Sequence, residues 1–383
     1  MKRYFTLLLL GLFCFLLVGC KKTPEEYMIK TMYLDSAFSI TPSVRVVGPA
    51  EVLNTLDTLR DELSVITNEL DDVFNPAKED SAVARINAAA GKNPVIVSDE
   101  VLMVIGEALA VAEESIVGEV ALYDISILPI WEKWMFSLKY YNLFSDNRET
   151  IPNQETLTAL LPLVNYKKII LDQEQKTVFL EEEGMKIDLG SIVKGYACDK
   201  IKAYLLSLDL TRAIIDVGGN IMTMGFNHYE GEDHPWPIKI QTPYITLYHP
   251  NYETTKYIGM YYDSDITVVS SGIYERYIKT EEDIDYHHIL DPRTGFPMDS
   301  GLISVTIITQ ISMNADAYST AVFSLGLVEG MALVESHPEI QAIFITTDQK
   351  IYISSGLENL FTYNDNITSL GYTYEGVYHE TDH

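Results

Sequence analysis

Apolar residues change period several times along the chain, and each change predicts an element. Tyr4 to Val18 is an almost unbroken apolar run, after which the chain turns polar to about Tyr27 and a short strand-like stretch follows. Beyond Gly48-Pro49, Val52, Leu56, Leu59, Leu63, Ile66 and Leu70 recur at alternating steps of four and three, the stripe of an amphipathic helix, which Asn75 and Pro76 end. Ser98-Asp99-Glu100 supplies a cap and first-turn acids for a second helix carrying Leu102, Ile105 and Leu109. A looser aromatic region runs from Trp131 to about Glu155.

The pattern then shortens to strands. Lys168–Leu171 and Thr177–Leu180 flank a polar turn, and Ile187-Asp188-Leu189 reads as a strand that breaks at Gly190 and enters a helix running to about Leu208. Backbone N–H groups at such a helix start make an anion site, although the glycine and lysine spacing is not that of a Walker A loop. Ala213–Val217 leads onto Gly218-Gly219-Asn220, and Trp236–Gln241 ends at Pro243. Further strands are expected at Ile266–Val269, Ser304–Thr309, Ala342–Thr346 and Ile351–Ser354, around a helix from Ala315 to about Leu325. Helices and strands alternate without a regular βαβ rhythm, so the class expected is α+β.

The first apolar run changes the picture of where the protein resides. Lys2 and Arg3 precede it, it is shorter than the roughly 18 residues of a spanning helix, and it closes on Leu17-Val18-Gly19-Cys20. That pattern predicts a lipoprotein signal peptide over 1–19, acylation of Cys20 and a lipidated tether over 20–29. The chain would then be lipid-anchored on the outer side of the cytoplasmic membrane, on a periplasmic face or at the cell surface. Cleavage removes one lysine and one arginine, taking the formal charge from −28 to −30. So acidic a surface repels nucleic acid and anionic headgroups, leaving acyl chains as the membrane contact. Of three cysteines only Cys198 stays within the body, so no internal disulfide is expected, and a lone helical cysteine reads as a small buried hydrophobe.

Three clusters carry candidate chemistry. They are Asp188 to Gly195, the loop His287-His288-Ile289-Leu290-Asp291-Pro292-Arg293-Thr294-Gly295, and Asn314 to Thr320, where Asp316 and Thr320 fall four apart on one helix face. A carboxylate and a hydroxyl beside a carbonyl of the Gly190-Ser191 turn form a partial oxygen cage suited to Mg²⁺ that shares its shell with phosphates. Lys194, His288 and Arg293 complement a pyrophosphate by charge and hydrogen bonds. From spacing alone, Asp316 reads equally as a helix-start carboxylate, Thr320 as a core-facing hydroxyl and Arg293 as a turn cation.

These clusters resemble, in order, the DLGGIAKGYA, HHIIDPRTG and ADALST motifs of the ApbE family of FAD:protein FMN transferases. Further matches are Ser81 with Asn87, Tyr123-Asp124 with Pro129 and Trp134, Asp216–Asn220, and Ser270-Ser271-Gly272 with Tyr274 and Arg276, covering about 30 to 356. The resemblance implies a T-fold-like α+β domain over 30–360 with a smaller α/β portion, followed by a tail over 361–383. It also implies FAD between the two portions and Mg²⁺ at its pyrophosphate. Asp316 and Thr320 would be metal ligands by side chain and Ser191 by its carbonyl. Lys194, Asp216, Gly219, Ser271, His288 and Arg293 would line the nucleotide, with Ser81, Asn87, Asp124 and Asp188 among the cofactor-binding positions. Asp316 and His288 are both candidates to take the proton of the attacking hydroxyl. Two positions depart from the pattern: Ala77 stands where many members carry an aromatic ring, which Phe74 would have to replace, and Leu128 stands where glycine is common.

The activity so implied is Mg-dependent transfer of FMN from FAD to a threonine of a membrane redox protein, with release of AMP. The rival readings are hydrolysis of FAD to FMN and AMP by the same groups, and a non-catalytic FAD-binding lipoprotein. Family targets resemble Ser-Gly-Ala-Thr segments, and the chain has no Ala-Thr dipeptide, so its partner is another flavoprotein.

Overall fold

The structure is a computed structural model that describes residues 27–136, 151–229, 231–274, 276–280 and 282–379. The predicted signal peptide, Cys20 and the start of the predicted tether lie outside the described residues, as does part of the aromatic region after Phe136.

Nine strands form the main sheet and lie side by side in chain order. They are β1 Tyr27–Tyr33, β2 Ser43–Pro49, β3 Ala213–Val217, β4 Asn220–Met224, β5 Thr267–Gly272, β6 Leu302–Thr309, β7 Gln341–Thr346, β8 Lys350–Ile353 and β9 Thr373–Val377. Every neighbouring pair is antiparallel except β8 with β9. All eight residues of β6 are buried, so both faces of the sheet are covered there. Alternation along β7 shows how: Ala342 and Phe344 join the core under the helices, whereas Ile343 and Ile345 join a second core. A three-stranded sheet of Trp236–Gln241, Tyr257–Asp263 and Phe361–Tyr363 covers that second core.

Six helices matter for the site: α1 Leu59–Phe74, α2 Ala82–Ala88, α3 Asp99–Glu114, α4 Leu128–Trp134, α5 Val193–Ser207 and α6 Ser312–Ser336. The small sheet of Val95–Ile96, Thr177–Leu180 and Ile169–Asp172 packs against α2, and α1 packs against both α2 and α5, giving an α+β body. Ser98 caps α3 through the Val101 N–H, as the sequence predicts. By length and hydropathy α6 could cross a membrane, but most of it is buried against the sheet and α5.

Four expectations are corrected or extended. The helix expected after Gly48-Pro49 is two, Ala50–Leu53 and α1, because the Lys30 ammonium takes the Leu53 and Leu56 carbonyls at the break. Ile187–Leu189 joins no named strand: the Asn87 amide pairs with both the N–H and C=O of Ile187, while Ile125 takes the Asp188 N–H and Ile127 bridges Lys186. The first helical stretch does end near Leu325 as expected, but a second one, not expected, follows directly. Gly326 there has φ 80°, and the helical chain resumes to Ser336. Finally, 361–383 is not simply a tail, since Phe361–Tyr363 and β9 belong to the two sheets.

Candidate active site at the crossing of two helices

Helices α5 and α6 run so close at Gly195 that a Cβ there would lie 2.0 Å from the Ser312 carbonyl oxygen. This approach lets each helix cap the other. Asp316, in the second turn of α6, accepts the Gly195 N–H of the first turn of α5 at 3.0 Å. Asp199 of α5 accepts the Ser312 and Met313 N–H groups at the start of α6, at 3.0 and 2.8 Å. Orphan donors at both helix starts are thereby satisfied by carboxylates. The anion site expected at the start of α5 exists, and the protein's own Asp316 fills part of it.

Lys194 closes the arrangement. Its ammonium donates to the Gly190 carbonyl at 2.7 Å and lies 3.2 and 3.4 Å from the two oxygens of Asp316. Asp316 is only 4% exposed, yet it forms part of the wall of a cleft of about 340 Å³ together with Lys194, Ser191 and Thr320. Ser319, the next residue but two after Asp316, gives its hydroxyl hydrogen to the Asp316 carbonyl and lies 2.8 Å from the Ser271 hydroxyl. With the Ser319 hydrogen on the Asp316 carbonyl, Ser271 donates in that pair and its hydroxyl oxygen remains an acceptor on the cleft.

The loop after β5 meets the loop before Gly295 along the same cleft. His288 Nδ1 lies 3.2 Å from the Arg276 carbonyl. A carbonyl only accepts, so Nδ1 carries the hydrogen and Nε2 keeps a lone pair. Burial, reinforced by the charge of Arg276, lowers the His288 pKa to about 3. The ring is therefore neutral near pH 7 and acts by hydrogen bonding, not by the charge the sequence reading gave it. Asp188 also lines the cleft; burial raises its pKa, opposed by the Gly190 N–H and by Lys194 and Arg276. Burial likewise raises Asp124, which accepts from the Ser126 N–H and hydroxyl and from the Tyr166 N–H, pinning the loop beneath the cleft.

The cleft thus gathers Asp124, Asp188, Ser191, Lys194, Gly219, Ser271, His288, Asp316 and Thr320 from the residues the sequence singled out. Four others stand back from it. Ser81 caps α2 through the Ala84 N–H, and Asn87 positions Ile187. Asp216 accepts the Gly219 N–H and so shapes the glycine turn, while Arg293 grips Asp291 in its own turn. Nor does Phe74 offer a ring to the cleft: it is buried, edge-on to Tyr196. Arg276, noted in the sequence only as a matching position, supplies a cation to the cleft, and Lys239 was missed. Lys239 occupies an outward position of a strand whose alternation was legible, but alternation does not say which surface faces a cleft.

This fold and site define a transferase of α+β architecture. The chain belongs to the ApbE family, whose model matches residues 36–344. A protein of Klebsiella pneumoniae (strain 342) named FAD:protein FMN transferase is 32% identical, over 78% of this chain and 85% of its own. One of the same name from Treponema pallidum (strain Nichols) is 30% identical over 87% and 86%. Among solved structures, the flavin transferase ApbE from Vibrio cholerae superposes with a TM-score of 0.72, at 23% identity, over 88% of this chain and 100% of that one. The ApbE protein of Thermotoga maritima gives 0.68 at 27% identity, over 91% and 100%.

Proposed function

We propose that the protein is an FAD:protein FMN transferase that, with Mg²⁺, moves FMN from FAD to a threonine of a separate membrane flavoprotein and releases AMP. The observation that carries this is the oxygen cluster at the helix crossing. The Gly190 carbonyl and the Asp316 carboxylate already hold one cation, the Lys194 ammonium, and Thr320 brings a hydroxyl from the same face of α6. Among the described residues no three His, Cys, Asp or Glu side chains gather into a metal site. A single carboxylate with neutral oxygens is the donor set of Mg²⁺ that keeps places for substrate phosphates, so Asp316, Thr320 and a carbonyl of the Gly190-Ser191 turn fit it. Bound there, the ion would neutralise charge on the pyrophosphate.

The protein's own groups supply the rest. Lys194 and Arg276 both line the cleft and offer positive charge to the phosphates, and Gly219 and Ser271 lie along the same cleft. In the reaction a threonine Oγ–P bond forms to the FMN-side phosphorus, and the bond from that phosphorus to the bridging oxygen breaks, with AMP as leaving group. Of the two candidates for the hydroxyl proton, His288 is the better placed, although burial makes it a weak base. Its Nε2 carries the free lone pair, whereas Asp316 is committed to Gly195 and Lys194. Acylation at Cys20 would keep the cleft beside membrane-embedded acceptors.

The test incubates the full chain in detergent with FAD, Mg²⁺ and a protein bearing a Ser-Gly-Ala-Thr segment, following AMP and the intact mass of that protein. A mass gain equal to FMN, lost on omitting Mg²⁺ and in Asp316→Asn, is the expected result. AMP and free FMN without a mass gain would make the protein an FAD pyrophosphatase. Full transfer by Asp316→Asn would remove the metal site from this crossing.

A further inference from the structure

We infer that Lys194 is a tethered counter-ion that competes with the divalent cation for the carboxylate of Asp316. Cation and nucleotide would then bind cooperatively, the nucleotide phosphates drawing the lysine away. This rests on the metal site proposed above. The ammonium lies 3.2 and 3.4 Å from the two carboxylate oxygens of Asp316, a prospective ligand, and is held there by the Gly190 carbonyl at 2.7 Å, next to Ser191 in the turn. The pair is well enclosed, with side-chain exposures of 17% for Lys194 and 5% for Asp316, so solvent screens it weakly. Two positive charges at this spacing repel in a weakly screened site, so a divalent ion entering beside Asp316 loosens the lysine's hold.

The lysine has somewhere to go. It sits in the first turn of α5 on a flexible four-carbon stem and lines the cleft where the nucleotide phosphates would lie. An anion there offers it a second partner, which lowers the cost of giving up Asp316. By linkage, a nucleotide that binds better once Lys194 has moved must also raise the affinity for the cation, by the same factor in both directions. Gly195 holds Asp316 in place through its N–H throughout, so the carboxylate stays positioned while its counter-ion is exchanged.

Mn²⁺ binding to the full chain in detergent tests this, read by the resonance signal of free Mn²⁺, with ADP as an unreactive pyrophosphate. Lys194→Met is expected to bind Mn²⁺ about ten-fold more tightly than the unaltered chain without ADP, and to lose most of the enhancement that ADP gives. Its melting temperature should fall without Mn²⁺ and recover with it, a rescue that a merely structural lysine would not show. Lys194→Gln, which keeps a donor for the Gly190 carbonyl, should behave likewise if the methionine variant folds poorly. Unchanged or weaker Mn²⁺ binding in the lysine variants, while Asp316→Asn loses the metal, would overturn the competition and leave the metal site standing. Undiminished binding in Asp316→Asn would overturn both.

Discussion

Two segments of this protein pair a carboxylate with a cation, and they use the pair for different ends. At the helix crossing, Asp316 meets Lys194 and Gly195 from more than 120 residues away, and the pair is largely enclosed. In the loop before Gly295, Arg293 meets Asp291 two residues back, with 42% of the arginine side chain exposed. There Asp291 also accepts the Arg293 N–H, and its carbonyl accepts those of Thr294 and Gly295, so the loop is a turn folded on itself. The first pair exists only when two helices have packed, so it reports tertiary structure and sits on a cleft. The second is complete within its own turn, and it shapes the loop that carries His288 and Pro292 to the cleft wall.

The sharpest way to break the comparison is a methyl group at the glycine of each segment. Gly195→Ala would press Cβ against the Ser312 backbone carbonyl and the Asp316 side chain, and backbone at a helix crossing cannot yield cheaply. We expect a loss of about 3 kcal/mol or more in urea denaturation. Transfer activity should fall by about a hundred-fold, since small displacements of a positioned group cost that much. Gly295→Ala meets only the side chains of Ile130 and Leu157, at 3.2 and 3.3 Å, at a φ of 75°. Its cost should be about 1–2 kcal/mol, mostly backbone, with activity retained. Equal losses in the two variants would contradict the distinction drawn here.

A proton distinguishes the loop further. His287 is buried, gives its Nε2 hydrogen to the Met298 carbonyl, packs edge-on to Phe323 and has no partner at Nδ1. Burial lowers its pKa from 6.5 to about 4. The unfolded chain therefore takes up this proton first as pH falls, so the stability is complete above about pH 6.5 and is lost on the way down to about pH 4. His287→Asn should remove up to about 3 kcal/mol of this pH dependence, measured as the difference between two denaturation curves across that window. A slope persists in the variant because His288 is lowered too. Identical curves would mean that His287 is not desolvated in the fold.

How much of this was legible in the sequence follows the same division. Caps and short strands were, because Ser98, Thr177–Leu180 and Ala213–Val217 form by rules that act within a few residues. The α+β class was legible from the irregular order of those elements. Asp316 and Thr320 could be placed on one helix face, but not against Gly195, because nothing local says which helix another will cross. The break after Leu53 depends on Lys30, and the path of Ile187 on Asn87, both far away in the chain. Arg293 shows the reverse: a motif names the residue, while its side chain pairs within its own loop, and reading it as a nucleotide ligand is an error only if FAD binds as well without it.

Arg293 accordingly gives the smallest effect and the most direct test of that reading. Its guanidinium holds both oxygens of Asp291 through Nε and Nη2, at 2.9 and 2.8 Å, and the carboxylate raises its pKa. Because nearly half of the arginine is exposed, water screens the pair, and Arg293→Gln should cost no more than about 1 kcal/mol. The backbone bonds from Arg293, Thr294 and Gly295 to Asp291 survive the change, so the loop keeps its path and His288 its position. Affinity for FAD should then stay within about two-fold of the unaltered chain, as for other surface substitutions worth a few tenths of a kcal/mol. A ten-fold loss of affinity at unchanged stability would show that Arg293 leaves Asp291 to meet the nucleotide, and the two segments would then share one chemistry after all.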